Sequence, residues 1–207
     1  MAWFRDLDAL ADEISKLVPE LVGVERAAAL VEQAAVHSPV LVREVVPRVI
    51  SLPQLAELLR NLARERVPLS DMAAILEAIA VAPDPKKDLV DHVRGHLRRQ
   101  ITAKWAPRGQ LSVFTVDAMI EDAVRGAIDR RESGQQVLAL EPAIAQDIVA
   151  AVRGKVGDKP AVILTSGDVR RHLRSLLEPE LPEVAILAAH ELAPGTSVKT
   201  AGRIDVA

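Results

Sequence analysis

Leu111-Ser-Val-Phe-Thr-Val116 is the stretch at which the chain changes its hydrophobic period. Its β-branched and aromatic residues alternate or run apolar, which predicts a strand. Everything before it repeats at helical spacing. Everything after it alternates short strands with helices. The reading is therefore α+β overall, with a helical N-terminal subdomain followed by an α/β C-terminal subdomain, and a new unit starting near Ala106.

Working back from Val116, the spacing predicts one long helix over Lys86 to Trp105, with Leu89, Val93, Leu97, Gln100 and Ile101 near one face. Pro83-Asp-Pro85 is a turn. Before it, Ser70 is placed to cap a helix from Asp71 to Ala80 whose inward face is Met72, Ile75, Leu76 and Ile79. Leu52-Pro53 opens a helix burying Leu55, Leu58, Leu59 and Leu62 and wetting Glu57, Arg60, Arg64 and Glu65. Further back come Val40 to Val46, then residues 24 to 37 with an apolar stripe of Val24, Ala27, Ala28, Val31, Ala34 and Ala35. Residues 6 to 18 carry the stripe Leu7, Leu10, Ile14, Leu17 and Val18, which Pro19 interrupts.

Working forward, Asp117 to Glu132 reads as a helix and Gln136 to Leu140 as a short strand. Pro142 opens a helix to Val156. Ala161 to Leu164 is a buried strand, Asp168 to Leu177 a helix, Val184 to Leu187 a strand, and Val198 to Val206 an edge strand. Such alternation implies some parallel pairing.

Composition limits the chemistry. The 207 residues are 49% hydrophobic, enough to build a core, and the net charge is -3 with no basic excess in either half. That balance does not suit a nucleic-acid binder. No cysteine is present, so disulfides, thiolate metal sites and cysteine nucleophiles are excluded together. Aromatics make up 2%, too few to build stacking platforms. No apolar run approaches the roughly 20 residues of a membrane span, and the N-terminus turns acidic where a signal peptide turns apolar, so a soluble chain is expected.

Three constellations carry side chains of chemical interest. Asp88, His92 and His96, four apart on one predicted helix, share a face, but no fourth donor is identifiable, so solvated charged neighbours are favoured over a metal. Thr165-Ser166-Gly167-Asp168 lies between a strand and a helix, where backbone amides bind phosphate. It fits neither phosphate-loop signature, and helix capping by Thr165 or Ser166 is favoured. The basic fragments Arg94 to Arg99 and Arg170 to Arg174 sit among acids and read as solvated helix face or protein interface. No cofactor and no catalytic residue is expected.

The order of features resembles a known family. Leu62-Ala-Arg-Glu-Arg-Val-Pro-Leu-Ser-Asp-Met-Ala-Ala-Ile-Leu-Glu-Ala78 is similar to a segment of the bacterial type III secretion and flagellar export-gate family. Val42 to Pro47 with Leu52-Pro53, and Val93 to Ile101, resemble the stretches on either side of it. Leu138 to Pro142, Leu164 to Arg171, Leu181 to Leu187 and Glu191-Leu192 resemble the family's C-terminal α/β subdomain. The wording Leu164-Thr-Ser-Gly-Asp-Val-Arg-Arg171 leans to the injectisome branch. Ser70 departs from a frequent arginine of the family, and Ala188 from a small hydroxyl residue.

The resemblance implies the C-terminal part of the cytoplasmic domain, either an excised fragment or a split gene. It divides as 1–22, a lead-in helix from a preceding subdomain; 23–105, a helical ring-forming subdomain; and 106–207, a C-terminal α/β subdomain. It implies a non-enzyme at the cytoplasmic face of the inner membrane that forms a nonameric ring. Its partners would be chaperone-cargo complexes, the gatekeeper and the ATPase stalk, with no nucleic acid and no direct membrane contact. The candidate ring-interface residues are Arg60, Arg64, Glu65, Arg66, Asp71, Asp88, Asp91, Arg94 and Arg98. The candidate partner-binding residues are Glu178, Glu180, Glu183 and Glu191. Two alternatives stay open: a stand-alone regulatory adaptor reusing the fold, and a nucleotide- or phosphate-binding α/β protein using the 164–172 turn.

Overall fold

Ser51-Leu-Pro-Gln54 starts a helix by local chemistry alone. The Ser51 hydroxyl faces the Gln54 N–H, and the Gln54 side chain accepts from the Ser51 N–H at 3.0 Å, so two otherwise orphaned donors are satisfied. The computed structural model describes residues 19–84, 88–130, 136–157 and 159–206. The predicted helix over 6–18 lies outside the described residues. Packing divides the chain into two units, Met1–Ile101 and Thr102–Ala207.

The first unit is helical: α1 (Val24–His37), α2 (Pro39–Val45), α3 (Leu52–Arg64), α4 (Met72–Ala80), α5 (Leu89–His96) and α6 (Arg98–Trp105), the last running across the division. Leu55, Leu58, Leu59 and Leu62 are buried as the α3 spacing predicts, and so are Met72, Ile75, Leu76 and Ile79 of α4. α1 packs on α2 and α3, and α4 on α2 and α5.

Four expectations need correction here. Asp71, not Ser70, caps α4, its carboxylate accepting from the Ala74 N–H at 3.0 Å; a carboxylate at the positive helix end outcompetes the neighbouring hydroxyl. The predicted long helix is interrupted at Leu97, which separates α5 from α6. Of the α1 stripe only Ala27 is buried. Arg94, read as surface, is 1% exposed, and its guanidinium meets Glu65 at 2.7 Å between α3 and α5.

The second unit contains a four-stranded sheet in the order β5-β4-β1-β6. Its strands are β1 (Gln110–Val116), β4 (Ala161–Thr165), β5 (Val184–Ala188) and β6 (Ser197–Ile204), and every pairing within it is parallel. α7 (Ala118–Gly126) and α8 (Pro142–Val156) lie in the connection from β1 to β4, and α9 (Gly167–Leu177) in that from β4 to β5. Their Ile120, Val124, Ile148, Val152, Val169 and Leu173 share one core with Ile163, Val184, Ile186 and Ile204 of the strands. All five residues of β5 are buried, the pattern of a parallel strand covered on both faces.

The predicted helix over Asp117 to Glu132 ends early, at Gly126, and Ile128–Arg130 becomes β2, antiparallel to β3 (Gln136–Leu138). The β-branched Ile128 suits that hairpin better than a helix end.

Arg94→Ala removes the buried guanidinium that meets Glu65 between α3 and α5. We expect it to destabilise the helical unit by roughly 3–5 kcal/mol, against less than about 0.5 kcal/mol for Arg98→Ala on the surface. Urea unfolding followed by amide resonances of the first unit checks the contrast; equal effects would refute it.

Candidate functional site

The strand-to-helix turn Thr165-Ser166-Gly167-Asp168 is the place where an anion could meet a helix N-terminus. It is already filled by a side chain. Glu121, on α7, accepts from the Thr165 hydroxyl at 2.6 Å, the Ser166 N–H at 2.9 Å and the Ser166 hydroxyl at 2.9 Å. The carboxylate takes the N–H of Ser166, the residue that precedes α9, and so places a negative charge beside the helix N-terminus, as the helix dipole favours. The expected capping by Thr165 or Ser166 is corrected accordingly: the Ser166 side chain makes no cap to α9, and both hydroxyls donate to Glu121 instead.

Arg125, one turn further along α7, completes the junction. Its Nε donates to Asp168 at 2.6 Å and its Nη2 to the Ser166 hydroxyl at 3.2 Å, while Asp122 takes a third contact. Burial opposes ionisation of Glu121. The hydrogen bonds from Thr165 and Ser166, with the Arg125 charge, outweigh it and hold the carboxyl below its ordinary value. The hydrogen bond from Arg125 likewise lowers Asp168. Gly167 fits here for a second reason: a Cβ on it would lie 2.9 Å from the His190 ring. No local sequence signal announces Glu121, because its partners lie more than 40 residues away in the chain.

The candidate partner residues do not form one rim. Glu178, Glu180 and Glu183 lie between α9 and the amino end of β5. Glu180 is exposed and pairs with Arg153 at 2.6 Å, while Glu178 and Glu183 are half-buried. Glu191 follows the carboxyl end of β5, so the five-residue strand separates it from the others. It is 0% exposed, accepts from the Ala188 N–H at 2.9 Å and lies 3.6 Å from Arg170. Glu191 therefore cannot serve as a surface contact. The fragment Arg170 to Arg174 needs the same correction, since Arg170, His172 and Arg174 are buried. His172 and Arg171 both reach Gln136, and Arg174 donates to the Val184 carbonyl at 2.8 Å.

The ring-interface candidates also divide. Arg60 is half-buried and donates to the Val22 carbonyl at 3.1 Å, Glu65 pairs with Arg94, and Asp71 caps α4 while accepting from Gln100 at 3.0 Å. Arg66 and Asp88 have left-handed backbone, with φ of 59° and 48°. Arg64, Asp88 and Arg98 are exposed, Arg66 and Asp91 half-buried. Asp88 thus stands before α5 rather than on it. His92 shares its Nε2 with the Ala78 carbonyl at 3.0 Å, and His96 Nδ1 lies 3.2 Å from the His92 carbonyl. Among the described residues no three His, Asp or Glu side chains converge on a metal position. No helix of the described residues is long and apolar enough to cross a membrane.

With this geometry in place, comparisons with known proteins are specific. The profile of the FHIPEP family matches residues 7–197. Invasion protein InvA of Salmonella typhimurium is 33% identical over 197 residues, covering 91% of this chain and 28% of InvA. This chain thus spans well under a third of that relative. The structure of the Chlamydia pneumoniae CdsV and CdsO protein complex contains a chain that superposes with a TM-score of 0.86 at 30% identity, covering 99% of this chain and 62% of that one. The nonameric EscV cytosolic domain from the type III secretion system superposes at 0.78 and 26% identity, over 96% of this chain and 62% of that one.

Glu121→Ala should cost the second unit roughly 1–3 kcal/mol, because Thr165 and Ser166 lose their acceptor. Glu121→Gln should flatten the acid limb of the stability profile. With its folded pKa depressed, Glu121 contributes fully above its ordinary value of 4.5, and that contribution is lost as pH falls through the lower folded value. Denaturation midpoints between pH 3 and pH 7 check this; parallel profiles for Glu121→Gln and the parent would refute it.

Proposed function

The chain belongs to the FHIPEP family, and on that premise we propose that it is the C-terminal part of the cytoplasmic domain of a type III protein export gate, on the injectisome side. It forms a ring below the export pore and receives partners on its exposed loops. The carrying observation is the likeness of almost the whole chain, in fold and in sequence, to the nonameric EscV cytosolic domain and to a chain of the CdsV and CdsO protein complex. In this reading the helical unit supplies contacts between copies. Arg64, Asp88, Asp91 and Arg98 remain candidates for its polar part, and ring contacts are heterologous, so one face meets a different one.

The α/β unit receives partners. Glu178 and Glu180, beside Pro179 and Pro182, form an acidic turn held by a rigid sheet, a setting in which recognition loops are common. Basic or amphipathic helical partners suit such a turn, with binding that weakens in salt. Export chaperones with cargo, a gatekeeper and a coiled-coil stalk are the partner classes we assign to it. We assign the unit no catalytic chemistry and no cofactor. The phosphate-binding alternative is disfavoured because the Glu121 carboxylate, held by Thr165 and Ser166, already sets a negative charge beside the Thr165–Asp168 turn and would repel a phosphate.

Two experiments test this reading. Tethered through its N-terminus to a lipid surface, the chain should assemble into closed rings visible by electron microscopy, and monomers at saturating surface density would overturn it. Glu178→Lys with Glu180→Lys in the full-length parent should reduce secretion several-fold with rings intact. Unchanged secretion would remove the acidic turn from the partner surface.

A further inference from the structure

We infer that His92 and His96, on successive turns of α5, form a two-nitrogen site for a divalent ion of the nickel or copper class, with water in its other positions. The two rings lie together, their centroids 4.5 Å apart and their planes inclined at 44°. Residues four apart share a helix face, so the neighbourhood is built into α5 itself.

The hydrogen bonds decide which nitrogens are available. His92 Nε2 lies 3.0 Å from the Ala78 carbonyl, and His96 Nδ1 lies 3.2 Å from the His92 carbonyl. A carbonyl oxygen accepts and never donates, so each of these nitrogens carries the proton of its neutral ring. The lone pairs are then on His92 Nδ1 and His96 Nε2, and among the described residues no hydrogen bond reaches either. Giving one N–H to a carbonyl while offering the other nitrogen is the usual arrangement of a ligating histidine, because it fixes the tautomer and raises the basicity of the ligand. Ala78 is buried on α4 and anchors the half-buried His92. His96 is exposed, which leaves the outer side open to an entering ion.

Geometry narrows the choice of ion. With metal–nitrogen bonds of about 2.1 Å, two ligating rings have centroids about 4.6 Å apart when the bonds meet at a right angle and about 5.3 Å apart at the tetrahedral angle. The 4.5 Å separation fits the right angle. Imidazole ligands in that arrangement suit Ni(II) or Cu(II) better than tetrahedral Zn(II). His96 is also the last residue of α5, where the negative end of the helix dipole favours a cation. Among the described residues no third side chain converges there, so the site is an open one rather than a closed cage. Neither histidine belongs to the contacts assigned above, and the inference stands apart from the export-gate reading.

The test uses the untagged, chelator-treated chain, titrated with Ni(II) by calorimetry and with Cu(II) by electron spin resonance. One equivalent of Ni(II) per chain is expected, with affinity falling at least about tenfold in His92→Ala and in His96→Ala. His37→Ala, in the last turn of α1, should leave it unchanged. The Cu(II) spectrum should show coupling to two imidazole nitrogens. His92→Ala also removes the bond to Ala78, so the exposed His96→Ala is the deciding variant, with its fold verified by amide spectra. No saturable binding, binding undiminished in His96→Ala, or coupling to a single imidazole nitrogen overturns the inference.

Discussion

Glu191 has no exposed surface, and a carboxylate so placed keeps its charge only if the protein supplies what water would have supplied. The Ala188 N–H and the Arg170 guanidinium do so. Arg174, one turn along α9 from Arg170, donates to the Val184 carbonyl at the other end of β5. Two arginines at helical spacing thus clamp the strand at both ends, Val184 at its start and Glu191 just beyond its finish. The rest of the second unit follows from that clamp. With α9 fixed along β5, Val169, Leu173 and Leu177 are aimed into the shared core, and Gly167 is brought against His190.

The N-terminal end of the same helix is also held from α7. Glu121 and Arg125 on α7 bind the first turn of α9 through Thr165, Ser166 and Asp168. α9 is therefore fixed by polar contacts at its N-terminus, along its flank and beneath its arginines, while its apolar side supplies burial. The first unit uses the same principle in the Glu65–Arg94 pair between α3 and α5. Buried ion pairs of this kind add little net stability against an apolar alternative, but they penalise any packing that separates the partners.

The hydrophobic period carried most of the fold into view. Leu55, Leu58, Leu59 and Leu62 are buried, as their spacing says, and Pro142 opens α8 where a first-turn proline should. What could not be read was set by contacts distant in sequence. Arg94, Arg170 and Arg174 look like solvated charge because a sequence shows the charge and not the acceptor that neutralises it. Glu191 and Glu121 were respectively misplaced and missed for that reason. Ile128 to Arg130 continues a helical pattern locally, and only the partner strand at Gln136 to Leu138 makes it a hairpin. The candidate partner residues Glu178, Glu180, Glu183 and Glu191 were legible only as acids close together in the chain. Their separation to opposite ends of β5 required the strand itself to be placed.

β6 lies at the margin of the sheet, and among the described residues no strand pairs with its outer side. Its pairing with β1 shifts register between Val113 and Phe114, opposite Thr200 and Gly202, and Lys199 and Arg203 are exposed along it. Irregular register and outward cations are the features by which natural sheets discourage a stranger from extending them. In a ring of the kind proposed, that margin would remove a competing mode of self-association, open-ended and sheet-mediated, which would lead to fibres rather than to closed assemblies.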